Sequence, residues 1–130
     1  MPKKKILCIE DDTFLLDLIS NKFINSGIMA IGAHTGTDGL LIAASEKPDM
    51  ILLDLMLPDM RGSEVLERIK SDLGTKNIPV IIFSNLSDKE EIVKSLAHGA
   101  MEYLIKSNTL PSEVVEIVAK HLGVSPIQAS

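Results

Sequence analysis

Five times along the chain, a short run of consecutive apolar residues gives way to a longer stretch whose apolar residues recur at helical spacing. The short runs are residues 6–9, 28–33, 50–53, 79–83 and 101–105, each of strand length. None alternates strictly between apolar and polar residues, so burial on both faces is expected. The intervening stretches carry Phe14, Leu15, Leu18, Ile19 and Phe23, then residues 40–44, then Val65, Leu66 and Ile69, then Ile92, Val93 and Leu96, and finally residues 112–122. Alternating strands and helices imply one parallel sheet covered by helices on both faces.

Punctuation residues agree with that division. Gly27, Gly99 and Gly123 stand where helices should stop, and Pro111 where the last should start. Asp12 is placed to cap the first helix, and Ser87 or Asp88 the fourth. The 130 residues suit a single domain. We place that domain at residues 1–123, with 124–130 as a C-terminal tail or the start of a linker.

A net charge of −5 disfavours direct nucleic-acid binding or adhesion to anionic membrane by this domain. No apolar run reaches the ~20 residues needed to span a bilayer, and the run after the basic residues 3–5 is too short for a signal-peptide core. A cytoplasmic location is therefore expected. Cys8 is the only cysteine, so no disulfide can form within the chain, and its apolar setting marks it as a small buried hydrophobe. His34, His98 and His121 show no metal-ligand spacing and read as surface residues.

In an open parallel sheet, ligands bind beyond the carboxyl ends of the strands. There the sequence places Glu10, Asp11 and Asp12 after the first strand, Asp54 after the third, Ser84 at the end of the fourth and Lys106 after the fifth. Singly, each has a bland reading as a cap, a turn residue or a solvated charge. Jointly they gather carboxylates, a hydroxyl and an amine at one edge. Crowded carboxylates with a backbone carbonyl suit a hard ion such as Mg2+. A carboxylate can serve as nucleophile towards phosphorus, with the amine and hydroxyl holding phosphoryl oxygens.

Four stretches at successive strand ends resemble the receiver domain of bacterial two-component response regulators, of the chemotaxis-regulator kind: residues 6–12, 54–62, 82–84 and 103–106. The resemblance implies a flavodoxin-like, doubly wound α/β fold, with five parallel strands in order 2-1-3-4-5 flanked by five helices. It further implies that Asp54 accepts a phosphoryl group from a phosphohistidine on a sensor histidine kinase or phosphotransfer protein. Glu10, Asp11, Asp54 and the Met56 backbone carbonyl would hold Mg2+. Ser84 and Lys106 would contact the phosphoryl group, Lys106 also touching Asp54, and Tyr103 would turn inward as Ser84 moves. The fourth helix, fifth strand and fifth helix would form the output surface, meeting a downstream effector or output domain, or a second copy as a homodimer.

Two positions depart from the family pattern. Ser107 stands where a proline with a cis bond is usual; a cis non-proline bond costs roughly 2.5–4 kcal/mol, so Lys106–Ser107 is expected to be trans. Asn85 replaces a smaller residue after Ser84 and should narrow access to the site. Among rival readings, a phosphatase resembling the haloacid dehalogenase group needs a general acid two residues beyond its nucleophile, where this chain has Met56. A flavin or nucleotide module lacks its glycine-rich phosphate loop after the first strand. A degenerate receiver serving only as an interaction module remains the other alternative.

Overall fold

In the computed structural model, which describes residues 3–125, the chain folds as β1 (Lys5–Ile9), α1 (Thr13–Asn25), β2 (Met29–Ala33), α2 (Gly36–Glu46), β3 (Met50–Leu53), α3 (Gly62–Ser71), β4 (Val80–Ser84), α4 (Lys89–Ala97), β5 (Glu102–Ile105) and α5 (Pro111–Leu122). All strand pairs are parallel and the sheet order is β2-β1-β3-β4-β5, as the resemblance implied. Residues 126–130 of the expected tail lie outside the described residues. Val124 still packs on the core, and its N–H donates to Ala119 O at 2.9 Å.

The central strands bury both faces because successive side chains point to opposite sides. Ile6 and Cys8, Met50 and Leu52, and Ile81 and Phe83 meet Leu16, Ile19 and Phe23 of α1 and Val114, Val115 and Val118 of α5. Leu7 and Ile9, Ile51 and Leu53, and Val80 and Ile82 meet Ala43 of α2 and Val65, Leu66 and Ile69 of α3. Complete burial of each large aliphatic contributes about 1.5–3 kcal/mol, so this two-sided core dominates the fold's stability. Cys8 is buried within it, and burial, then the nearby Glu10 carboxylate, push its thiol up to about 12.

The helix ends follow the expected punctuation. Asp12 caps α1, its Oδ1 accepting from Leu15 N–H at 3.2 Å. Gly27, Gly99 and Gly123 all take positive φ. Asp88 occupies the cap position of α4, yet its side chain accepts no cap hydrogen bond. In α1 the inward face is Leu16, Ile19 and Phe23, whereas Phe14 is 78% exposed and Leu18 37%. The α4 helix is the most lightly seated: Ser95 is its only buried residue, while Val93 and Leu96 face outward.

Candidate functional site

Strand register assembles the site. Ile9 pairs with Leu53, so Glu10 and Asp54 are the next residues of adjacent strands, and Asp54 N–H donates to Ile9 O at 3.0 Å. Ser84 pairs with Ile105, which puts Lys106 one residue beyond the same edge. Lys106 Nζ stands between the two acids, 2.6 Å from Glu10 Oε1 and 2.9 Å from Asp54 Oδ2. Glu10 and Asp54 are both buried. Their other oxygens accept backbone N–H groups, Glu10 Oε2 from Asp12 at 3.0 Å and Asp54 Oδ1 from Met56 at 3.1 Å.

Burial pushes the Glu10 carboxyl up, and its bonds from Lys106 and Asp12 offset this only in part. Burial also works against the Lys106 ammonium, but the bonds to Glu10 and Asp54 outweigh it and hold its pKa above the ordinary lysine value. The ammonium therefore stays charged and acts as the cation these two carboxylates require in isolation.

Asp11 is exposed and lines an open cleft with residues 55–61. Among the described residues, no three acidic, histidine or cysteine side chains are drawn together closely enough to hold an ion as they stand. The donor chemistry nevertheless fits a hard cation. Ionised, the carboxylates of Glu10, Asp11 and Asp54 against the one ammonium of Lys106 leave two negative charges, which a divalent ion matches. Release of Glu10 from Nζ, together with the exposed Asp11 carboxylate, would supply oxygen ligands.

Ser84 and Tyr103 meet at one residue. Ser84 is completely buried, and its Oγ accepts from Leu86 N–H at 3.3 Å, so its hydroxyl engages its own loop. The Tyr103 hydroxyl donates to Leu86 O at 2.5 Å, and its ring packs on the core face shared by α2 and α3. Burial, then Glu91, Asp54 and Asp88, raise the Tyr103 pKa. The Tyr103 hydroxyl is thus tied to the segment after β4 by a backbone carbonyl. Leu86 carried no sequence signal, because its contribution is a peptide group.

Every described peptide bond is trans, Lys106–Ser107 included, and a single 3₁₀ turn at Lys106–Asn108 leads from β5 towards α5. His34, His98 and His121 are exposed, as expected. His98 lies 3.7 Å from Glu67 on α3, and His121 bonds Glu102 on β5.

Asp59 is a site-supporting residue that sequence reasoning missed. Its Oδ1 accepts from Gly36 N–H at 2.8 Å, and its Oδ2 from Thr37 N–H at 2.9 Å and Thr37 Oγ at 2.7 Å. The loop carrying Met56 is thereby clamped to the start of α2. The Pro58-Asp59 pair signals a turn, but nothing local points to a helix 22 or 23 residues earlier. The Thr37 and Gly36 bonds hold the Asp59 carboxyl near 2, below its ordinary 3.8. A lowered folded pKa stabilises above the unfolded value and is lost as pH falls. The clamp should act fully above about pH 4 and fail towards about pH 2. Urea midpoints measured across that interval should fall less steeply for Asp59→Asn than for wild type; equal slopes would contradict the clamp.

A family model described as the response regulator receiver domain matches residues 6–119. The DNA-binding dual master transcriptional regulator RpaA of Synechocystis is 34% identical over 116 residues, covering 89% of this chain and 46% of that protein. The chain thus spans about half the length of the curated relatives it matches. A CheY-like response regulator receiver domain from Methanospirillum hungatei superposes with TM-score 0.86 at 30% identity, covering 94% of this chain and 95% of that one. The phosphorylated cyanobacterial phytochrome response regulator RcpA superposes with TM-score 0.79 at 31% identity, covering 92% and 91%.

Proposed function

This chain belongs to the response regulator receiver family, and on that footing we propose that Asp54 is the residue that takes up the phosphoryl group. The observation that carries the proposal is the buried Asp54 carboxylate at the end of β3, held at one oxygen by Lys106 and at the other by Met56 N–H. The donor would be a phosphohistidine on a sensor histidine kinase or phosphotransfer protein. An Asp54 oxygen forms the new bond to phosphorus as the phosphorus–nitrogen bond breaks, and the electron pair returns to the imidazole. Mg2+ held by Glu10, Asp11, Asp54 and the Met56 carbonyl would neutralise charge on the phosphoryl oxygens.

Lys106 is placed to follow that charge. Its ammonium needs only to exchange its carboxylate partners for a phosphoryl oxygen, losing little solvation because it is already enclosed. A turn of the Ser84 hydroxyl towards another phosphoryl oxygen would release its bond from Leu86 N–H. That release disturbs the residue whose carbonyl anchors Tyr103, which supports Ser84 and Tyr103 as a coupled switch. Light seating of α4 beside β5 supports α4, β5 and α5 as the responsive output surface, for an effector, an output domain or a homodimer partner. The receiver unit is taken as residues 1–123, with 124–130 as tail or linker.

The test adds a small phosphodonor, or beryllofluoride, with Mg2+ to wild type and to Asp54→Ala, and reads the product by intact mass and by shifts of the Tyr103 resonance. Wild type should be modified or shifted and the variant should not. No Asp54-dependent change would leave only the interaction-module alternative. Asn85 is exposed directly after Ser84, so Asn85→Ala should lose its phosphate several-fold faster than wild type. A lifetime equal to or longer than wild type would remove Asn85 as a barrier to water.

A further inference from the structure

The site is rich in acids, yet its rim carries a cation that none of the roles above uses. An antiparallel bridge sets Arg61 opposite Met56, and directly opposed residues carry their side chains on the same side. Arg61 is exposed and lines both clefts that flank Met56, one shared with Asp11 and the other with Leu86 and Glu91. Lys106 is committed to two carboxylates and Arg68 is paired with Glu64. Arg61 makes no ion pair among the described residues.

A phosphoryl dianion approaching Glu10, Asp11 and Asp54 is repelled unless cations meet it. A guanidinium presents a planar fork of donors that matches two phosphate oxygens. We propose that Arg61 is a specificity-determining residue that captures the phosphoryl dianion of a small acyl phosphate at the mouth of the site, making the domain receptive to doubly charged small-molecule donors. The inference rests on Asp54 being the phosphoacceptor. In the transfer, an Asp54 oxygen bonds to phosphorus, the bond between phosphorus and the acyl oxygen breaks, and the electron pair leaves with the carboxylate. Arg61 takes no part in the bond changes and adds charge complementarity at encounter.

The experiment measures phosphorylation rates by intact mass with Mg2+, using acetyl phosphate as the dianionic donor and phosphoramidate as a donor of lower charge. Arg61→Ala and Arg61→Lys are compared with wild type, with folding checked by circular dichroism. Losing one charge-assisted contact should slow Arg61→Ala about tenfold with acetyl phosphate. The phosphoramidate rate should hardly change, Arg61→Lys should recover part of the loss, and added salt should narrow the gap between wild type and Arg61→Ala. Equal slowing with both donors, or none with either, would overturn the Arg61 proposal while Asp54-dependent labelling of wild type keeps the phosphoacceptor reading intact. Failure of wild type to label with either donor would overturn both.

Discussion

Without divalent cation, Lys106→Ala will be less stable than wild type by about 2 kcal/mol, and Mg2+ will restore much of the loss. Removing one partner of a buried ion pair typically costs 3–5 kcal/mol, because the remaining charge stays buried and uncompensated. The expected figure is smaller because the Lys106 side chain keeps 14% of its exposure and water can reach the site edge. In the variant, Glu10 and Asp54 face each other across the space the ammonium filled. Either one takes up a proton or a cation enters. A divalent ion then has no ammonium to displace, so Mg2+ should also bind the variant more tightly, by about tenfold for ~1.4 kcal/mol of relieved competition. Urea unfolding with and without Mg2+ reads both effects. A loss of stability that Mg2+ leaves untouched would show that Lys106 acts through packing, such as its approach to the Phe83 ring at 5.8 Å, and not as the resident cation.

Lys106 also marks the boundary of what the sequence reveals. Its position was legible, since a lysine directly after a strand must lie at the same edge as acids directly after neighbouring strands. Of its partners, Asp54 was expected from the resemblance but Glu10 was not, because a long side chain chooses among carboxylates by geometry that only the assembled sheet supplies. Ser84 follows the same logic: strand order places its Cα, while the Leu86 peptide decides where its hydroxyl points. In α1 the helical period was clear, but Phe14 and Leu18 fit that period and still face outward. Periodicity gives the angle between apolar residues, and the sheet decides which stripe it receives. The Asp59 clamp lay beyond reach for a further reason, since its partners are mostly backbone N–H groups from a helix distant in sequence.

Gly62→Ala should damage the site more than any other change to a described glycine, for a reason unconnected with backbone freedom. A Cβ at Gly62 would lie 2.4 Å from Asp54 O and 2.4 Å from Leu55 Cα. Both are backbone atoms of the segment that presents the Asp54 carboxylate, so neither can rotate aside. Alanine is better than glycine within a helix by about 1 kcal/mol, but Gly62 opens α3 and would realise little of that gain. Overpacking of this kind costs typically 1–3 kcal/mol and sometimes more. With two backbone collisions we expect about 3 kcal/mol, together with displacement of Asp54 relative to Glu10 and Lys106. Gly123 supplies the contrasting case. Its φ is +71° but a Cβ there meets nothing within 4 Å, so alanine should cost about 1 kcal/mol of local strain and leave the site unchanged. Urea unfolding and beryllofluoride binding on the two variants separate crowding from strain. Gly62→Ala should lose both stability and ligand, and Gly123→Ala only a little stability. Full beryllofluoride binding by a folded Gly62→Ala would mean that α3 can retreat from β3 without moving Asp54, and the tight seat at Gly62 would then not be what positions the carboxylate.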